Sequence, residues 1–444
     1  MEIYVINPFQ SSSPHFPIIG MVPSYYSYVW NVQLYGRGYF ELTVAASKEN
    51  VALLKTGRML VRAEDIRVSG GVTYYDNAMI IRATTISYDA DNGYLLTVSG
   101  KTVKDILAQR IIFDWVMVEN MALTTLITYM IDGNLINTTT VPQGMINDLE
   151  SIIAGKQEQM AQEEDTLEEL MTIWEQAIEQ YGPDSPEAKA AKEAVDSCQA
   201  TIDQLHDEIN ELTDQKAYWQ WDMGIQAHRP IPYVSIGSVS ITSPPNVTVQ
   251  TRGDNLGEWI ENECIENHLA WQMQLSESGI VFSMKNGTDR HSTVIFSPEF
   301  DNLLTSEYTK NMETYRNAAL ISGEGEGSYQ KVANIGTSTG AGRFEEFLSA
   351  TDITTNEGRI SDTKYKQMLQ QYGKNEIAKL KRTTSMGGDV DPNGAFKIGE
   401  DVFLGDLVTF ANDQGISATV RLIEIIYSED ASGYLVTGTF EEED

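Results

Sequence analysis

Two runs of apolar residues, stepping by threes and fours and separated by Gly182-Pro183-Asp184-Ser185-Pro186, constrain this chain more than any other feature. The first passes through Ile146, Leu149, Ile153, Met160, Leu167, Leu170, Trp174, Ala177 and Tyr181. The second passes through Ala188, Ala191, Val195, Cys198, Ile202, Leu205, Ile209, Leu212 and Trp219. Such spacing lays one apolar stripe along a helix. A continuous helix through the break is costly, at about 3 kcal/mol for an interior proline. Ser185 as N-cap and Pro186 at the first helical position restart it. The pattern predicts an antiparallel helical hairpin with arms of roughly 50 Å. Pairing the stripes sets Leu167 opposite Ile202 and Met160 opposite Ile209. Lys156 and Glu163 interrupt the seam with polar groups, and the outer faces are rich in Glu, Asp and Gln.

A chain of 444 residues divides into several compact units. Its formal net charge is −33, the wrong sign for a groove that grips nucleic-acid phosphates. An acidic wall repels passing DNA, which suits a conduit. The two cysteines, Cys198 and Cys264, fall in different predicted units, so both are expected to be reduced. The first residues show no basic, apolar leader. The apolar stretch 121–131 is shorter than the ~20 residues a membrane span needs, so a buried helix and no stable span are expected.

Outside the hairpin the pattern is mixed. Residues 1–112 read as strands: Phe40, Leu42 and Val44 alternate with polar or small neighbours, and Asn92-Gly93 between apolar runs marks a β-hairpin. Thr102 is the expected cap of a short helix to Gln109. Residues 113–141 read as mainly helical, 234–249 as strand with Pro244-Pro245 inside it, and 259–275 as helix. Helices are expected at 343–350 and 361–381, a loop at 382–394, and strands at 402–410, 416–427 and 434–440.

Few residues invite chemistry. His15, His206, His228, His268 and His291 share no metal-ligand spacing. Asp289 and His291 flank Arg290, which reads best as a capped turn. Glu324 and Glu326 alternate with Gly323, Gly325 and Gly327, more in keeping with a loop or distorted strand than with an acid–base pair. Gly336-Thr337-Ser338-Thr339-Gly340 matches the nucleophile-elbow string, but every histidine precedes Ser338, so a flexible loop is preferred. Asp389, Asp391 and Asn393 with Glu400 fit the spacing of a calcium loop. The flanking Gly387-Gly388 does not fit a helix end, and a solvated acidic loop is preferred. Tyr218, Trp219 and Trp221 are expected to pack the hairpin's root. No catalytic, metal or cofactor residue is assigned.

One segment carries a family resemblance: Gly287-Thr288-Asp289-Arg290, the strand to Phe296, Asn302-Leu303, Arg316-Asn317-Ala318-Ala319 and the Gly/Glu run to Gly327. Gly38-Tyr39-Phe40-Glu41-Leu42, Leu53-Leu54-Lys55-Thr56-Gly57 and Val98-Ser99-Gly100-Lys101 add to it near the start. Val402-Phe403-Leu404-Gly405-Asp406-Leu407-Val408, Arg421-Leu422-Ile423-Glu424 and Gly438-Thr439-Phe440 add to it near the end. Together they resemble the baseplate hub, or tail-tip, proteins of long-tailed bacteriophages, a family that includes tail-associated lysins. The hairpin, residues 142–222, departs from that pattern.

The resemblance implies an α+β multidomain chain. Two small tail-tube-like β-barrels are expected at 1–112 and at 286–335 with 388–444. An accessory α/β domain is expected at 113–141 with 223–285, and a helical and loop insertion at 336–387. It implies a non-enzymatic homotrimer closing the distal end of the tail tube and matching threefold to sixfold symmetry. Its partners would be the distal tail protein or tube ring, the tape measure protein and receptor-binding or fibre proteins, with DNA passing through unbound. The chain would be made in the bacterial host cytoplasm and reside in the virion. A peptidoglycan-degrading lysin is expected to carry an added C-terminal domain, where this chain ends in a strand and Glu441-Glu442-Glu443-Asp444. A surface glycan-binding adhesin is expected to carry a secretion signal.

Overall fold

Alternating apolar and polar residues make the first strands, and their apolar faces roll toward one another. The computed structural model describes residues 2–8, 15–351, 353–355, 360–380, 382–391, 394–412 and 414–442. Its first stretch runs through strands β1 (Ile3–Ile6), β2 (Ile18–Val22), β3 (Ser27–Gln33) and β4 (Tyr39–Ala45), then helix α1 (Lys48–Leu53). Strands β5 (Met59–Arg62), β6 (Ile66–Ser69), β7 (Val72–Tyr75), β8 (Met79–Asp89) and β9 (Gly93–Thr102) follow. Phe40, Leu42 and Val44 of β4 are buried while Tyr39, Glu41 and Ala45 are exposed. Gly93 takes the positive φ that turns β8 into β9. A 3-10 helix, Val103–Gln109, comes next, and Thr102 does not cap it with its side chain. The Thr102 hydroxyl donates to Arg37 O instead.

The helical reading of 113–141 holds only from Leu123 onward. Strand β10 (Val116–Ala122) comes first, then α2 (Leu123–Ile131). Helices α3 (Thr140–Tyr181) and α4 (Pro186–Gln226) make the hairpin. The run 234–249 splits at Pro244-Pro245 into β11 (Val234–Ser240) and β12 (Asn246–Thr251), which join different sheets. β12 pairs with β10, a partner too distant in sequence for local pattern to reveal. Helix α5 (Leu256–Glu266) ends early, and β13 (Trp271–Ser276) and β14 (Gly279–Lys285) follow. A five-stranded sheet has the order β11-β14-β13-β7-β6.

The last stretch holds β15 (Ile295–Phe296), β16 (Glu307–Asn311), β17 (Ala318–Ser322), β18 (Val332–Ile335), β19 (Glu345–Ser349), α6 (Asp362–Lys379), β20 (Thr383–Val390), β21 (Leu407–Ala411), β22 (Ser417–Asp430) and β23 (Gly433–Glu442). Two expectations are corrected here. The helix expected at 343–350 is strand β19, parallel to β17, with Glu345, Phe347 and Ser349 exposed between less exposed neighbours. That is the period of a strand. The loop expected at 382–394 is strand as far as Val390, hydrogen-bonded between β16 and β23. Gly388 looks like a loop residue but serves close approach: a Cβ there would sit 2.2 Å from Thr305 O. Helix α6 packs on the β18-β17-β19 sheet around Ile321, Tyr365, Met368 and Leu369.

The two expected barrels share one sheet. Thirteen strands form it, with the main path β16-β20-β23-β22-β3-β4-β9-β8-β5-β1-β2. Among the described residues no ladder joins its ends, so neither half is a closed barrel. The halves meet where the second half of β22 pairs with β3, from Glu424↔Gln33 to Glu429↔Tyr28. A bulge between Leu422 and Glu424 resets the period of β22, so Val420 and Leu422 before it and Ile425 and Tyr427 after it are all buried. The sheet curls enough for β5 to touch β22 without a ladder. The Arg62 guanidinium lies 3.6 Å over the Tyr427 ring and its Nε donates to Asp65 Oδ2 at 2.5 Å. Trp30 Nε1 donates to Asn77 O at 3.1 Å across the same roll. Arg62 is 2% exposed. Arg62→Ala takes the guanidinium from the Asp65 carboxylate, leaving it the Asn77 Nδ2 bond at 2.9 Å, and should cost about 3 kcal/mol in chemical denaturation. A loss below about 1 kcal/mol would show that the roll does not depend on this contact.

The chain forms two compact units, Met1–Ile131 with Ile231–Asp444, and Asp132–Pro230. The second is the hairpin. Gly182 takes a φ of 87° at the end of α3, and Ser185 Oγ accepts Ala188 N–H at 3.1 Å to start α4. Ile146, Leu149, Ala188, Cys198, Ile202 and Ile209 are buried in it. The register differs from apolar pairing alone. Lys156 Nζ bonds Glu208, Lys216 Nζ lies 3.0 Å from Glu150, and Cys198 Sγ lies 3.3 Å from Glu163 O. Each α4 partner sits nearer the turn than the apolar stripes place it. The residues read as interruptions, Lys156 and Glu163, make cross-arm bonds, and such polar seam positions specify register. Glu163→Cys should oxidise with Cys198 into a bond within one chain, read by peptide mapping. No such bond, with bonds between chains instead, would contradict this hairpin.

Candidate functional site

The most elaborate polar cluster is built on a loop that sequence reasoning passed over. Residues 33–38 leave β3 and return to β4. Lys104, in the 3-10 helix, is 7% exposed and sends its ammonium into that loop. It donates to Gln33 O at 2.8 Å, Leu34 O at 3.0 Å and Gly36 O at 2.8 Å, which uses all three N–H groups. The ammonium lies 4.4 Å from the Trp271 ring centre, and Trp271 Nε1 donates to Tyr35 O. Arg37 bonds Glu261 at 2.6 Å and Asp105 at 2.9 Å, and Arg82 bonds the other oxygen of Asp105 at 2.7 Å. Gly38, with φ 60°, lies so close to Asn31 O that a Cβ would meet it at 2.4 Å. The visible signal was Lys104-Asp105 inside an apolar run, Val103 to Leu107.

This cluster fixes a loop, and only its rim, Arg82 and Asp105, lines an open hollow on the surface. Burial pulls the Lys104 ammonium down to about 7, against the opposing pull of Cys264 and Glu261. An unfolded lysine holds its proton to about pH 10.4. From pH 7 upward the unfolded chain therefore carries the extra proton, and this group adds stability as pH rises, by up to about 1.4 kcal/mol per unit. Cys198 and Cys264 are both pushed up, chiefly by burial. Their unfolded thiols ionise from about pH 8.5 and reverse the slope. Stability should rise between pH 7 and about 8.5 in denaturant melts, and Lys104→Met should flatten that rise. It should also cost about 2–5 kcal/mol, since buried carbonyls lose their donors. An unchanged slope in Lys104→Met would remove Lys104 as its source.

The residues singled out from sequence do not converge. His291 Nδ1 lies 2.6 Å from Asp289 Oδ1 in an exposed turn, and that bond lowers the Asp289 carboxyl. Arg290 bonds Asp406 at 2.9 Å. Glu324 accepts the Thr355 N–H at 2.8 Å and hydroxyl at 2.7 Å, and those bonds lower its carboxyl. Ser338 O accepts from Arg343 within its own loop. Asp389 sits on β20 and accepts the hydroxyls of Thr305 and Thr437. Pro392 and Asn393 of the calcium-loop pattern lie outside the described residues. Among the described residues no three His, Cys, Asp or Glu are grouped to hold a metal ion. His15 stacks on Tyr233, and His268 Nδ1 lies 2.9 Å from Glu441. Both cysteines are free and buried. No described helix is long and apolar enough to cross a membrane.

What remains is surface. β5 pairs with β8 only at Met79 and Ile80. From Arg82 to Asp89 the far edge of β8 has no strand partner among the described residues, and its Ala83 to Tyr88 are exposed. That run carries no charge. The two terminal strands of the sheet's main path, β16 and β2, present further free edges among the described residues.

A family model described as Siphovirus ReqiPepy6 Gp37-like protein matches residues 2–182 and 189–440. The chain belongs to that family. The resemblance to a family of long-tailed phages is thereby borne out. Within the hairpin, the matched span covers all of α3 and α4 from residue 189 onward, and residues 183–188 fall outside it. None of the curated proteins matches the chain. Three distant solved structures resemble it. The prophage MuSo2 43 kDa tail protein from Shewanella oneidensis has 11% identity and a TM-score of 0.46, over 99% of this chain and 98% of that one. A tail protein from Neisseria meningitidis MC58 has 9% identity and a TM-score of 0.44, over 100% and 97%. Prophage tail protein gp18 from Listeria monocytogenes EGD-e has 8% identity and a TM-score of 0.43, over 99% and 94%.

Proposed function

We propose that this chain is the tail-tip hub, a non-enzymatic subunit of which three copies form a ring at the distal end of the tail tube. The observation that carries this reading is that one large sheet presents unlike free edges, among them β8 beyond Ile80 and β16. An uncharged, exposed strand edge is a ready template for another strand. Two different edges on one chain favour head-to-tail contacts, which close into a ring when the rotation permits. Three copies, each offering two related β-rich halves, give a pseudo-sixfold face for the distal tail protein or tube ring. The tape measure protein and receptor-binding or fibre proteins are its further partners. The excess of carboxylates keeps passing DNA from adhering to the channel. The committed bonds of Asp289, His291, Glu324 and Asp389 support a structural role over a hydrolytic one.

Charge placed on the β8 edge tests this. Thr84→Lys with Ile86→Lys alters only exposed side chains, so the melt should shift by no more than about 0.5 kcal/mol. The variant should fold yet fail to enter tails, counted by quantitative mass spectrometry of purified particles. Normal incorporation and infectivity would remove this edge as the interface.

A further inference from the structure

One face of α4 changes character along its length. The positions 203, 207, 211, 214, 218, 221, 225 and 228 step by three and four and so line one stripe. Toward the turn the stripe reads Asp203, Asp207, Glu211, Asp214. Toward the root it reads Tyr218, Trp221, Ile225, His228. Tyr218 is 49% exposed, Trp221 62% and Ile225 37%. The expectation that all these aromatic side chains pack inward at the root is thus corrected, since only Trp219 does so in part. Tyr218 lies 5.6 Å from Trp219 and 5.9 Å from Trp221, ring centre to ring centre, so the wall is ordered before anything docks. The nearby charges are taken: Lys216 pairs with Glu150, and buried Asp222 accepts from Gln226 at 2.8 Å.

We propose that hairpins of neighbouring copies of this chain meet through the Tyr218–Trp221–Ile225 face and diverge beyond Asp214. This rests on the ring reading, which supplies the neighbouring copies. A stripe with seam spacing is self-complementary when symmetry brings like faces together. The charge pattern selects a second copy as the occupant. A basic partner would settle on the acidic length of the stripe and leave the uncharged root bare. A copy of the same chain is attracted at the root and repelled at Asp207, Glu211 and Asp214, so the contact limits itself to the root. The unit holds 21 Asp and Glu against five Lys and Arg between Asp132 and Pro230, so like hairpins repel wherever no apolar face draws them together. Salt should weaken that repulsion and lengthen the contact.

Cysteine cross-linking of the full-length chain in assembled tails tests this. Trp221→Cys should link copies to one another under mild oxidation, and Asp207→Cys should not at low salt. Trp221→Glu, with helicity unchanged by circular dichroism, should lose cross-linking from a Tyr218→Cys reporter that links copies in the Trp221 parent. Linkage of Trp221→Cys to a different tail protein would overturn the assignment. So would absence of any link from Trp221→Cys while Ile86→Cys with Thr309→Cys still joins copies, an outcome that leaves the ring standing. If neither pair joins copies, the ring reading falls with it.

Discussion

The pairing of β22 with β3 is the constraint on which the rest depends. It joins residues from the two ends of the chain in one ladder, Glu424↔Gln33 through Glu429↔Tyr28. Glu424 is its polar pin. One oxygen accepts from Asn31 at 2.8 Å and Gln33 at 2.9 Å, and the other accepts from Thr439 at 3.0 Å. With that ladder made, the bulge in β22 turns both of its halves inward, and a single apolar core forms from Ile3, Trp30 and Phe40 to Phe410, Tyr427 and Phe440. Without it there are two half-sheets, each with one more exposed edge. The Lys104 cluster then fixes the loop that leaves β3, so the joint and the loop hold each other in place.

The sequence was most readable where structure is local. The hairpin arms, the Ser185-Pro186 restart and the β8–β9 turn rest on residues within a few positions of each other. It was least readable where pairing is distant. β10 was hidden because its partner β12 lies beyond the hairpin, and its Val116 to Ala122 merge by composition into α2. In β19, Phe344, Phe347 and Leu348 also fit helical spacing, so local pattern points to a helix. In β20, Gly387-Gly388 and Asp389 are turn residues by propensity, so local pattern points to a loop. Tertiary context overrode that preference with two flanking strands. The surface proposed for assembly was unreadable in advance, since a free edge exists only once every neighbouring strand is placed. Lys104 carried a weak signal, a charged pair in an apolar run, that points to burial but not to the carbonyls it meets.

The hub reading gives the acidic composition a division of labour. Where the chain is folded on itself, charges are paired: Arg37 with Glu261 and Asp105, Arg62 with Asp65, Arg290 with Asp406. The hairpin unit carries the denser excess, 21 Asp and Glu against five Lys and Arg over residues 132–230, where the rest of the chain has 43 against 26. Such an arm resists collapse onto its neighbours and onto DNA.

A cryo-electron microscopy reconstruction of the tail tip, with this chain located, tests the central claim most directly. The account predicts three copies in a ring at the distal end of the tube, the β8 edge of each facing the β16 edge of the next. One copy or six, or three copies whose β8 edges face solvent, would contradict it.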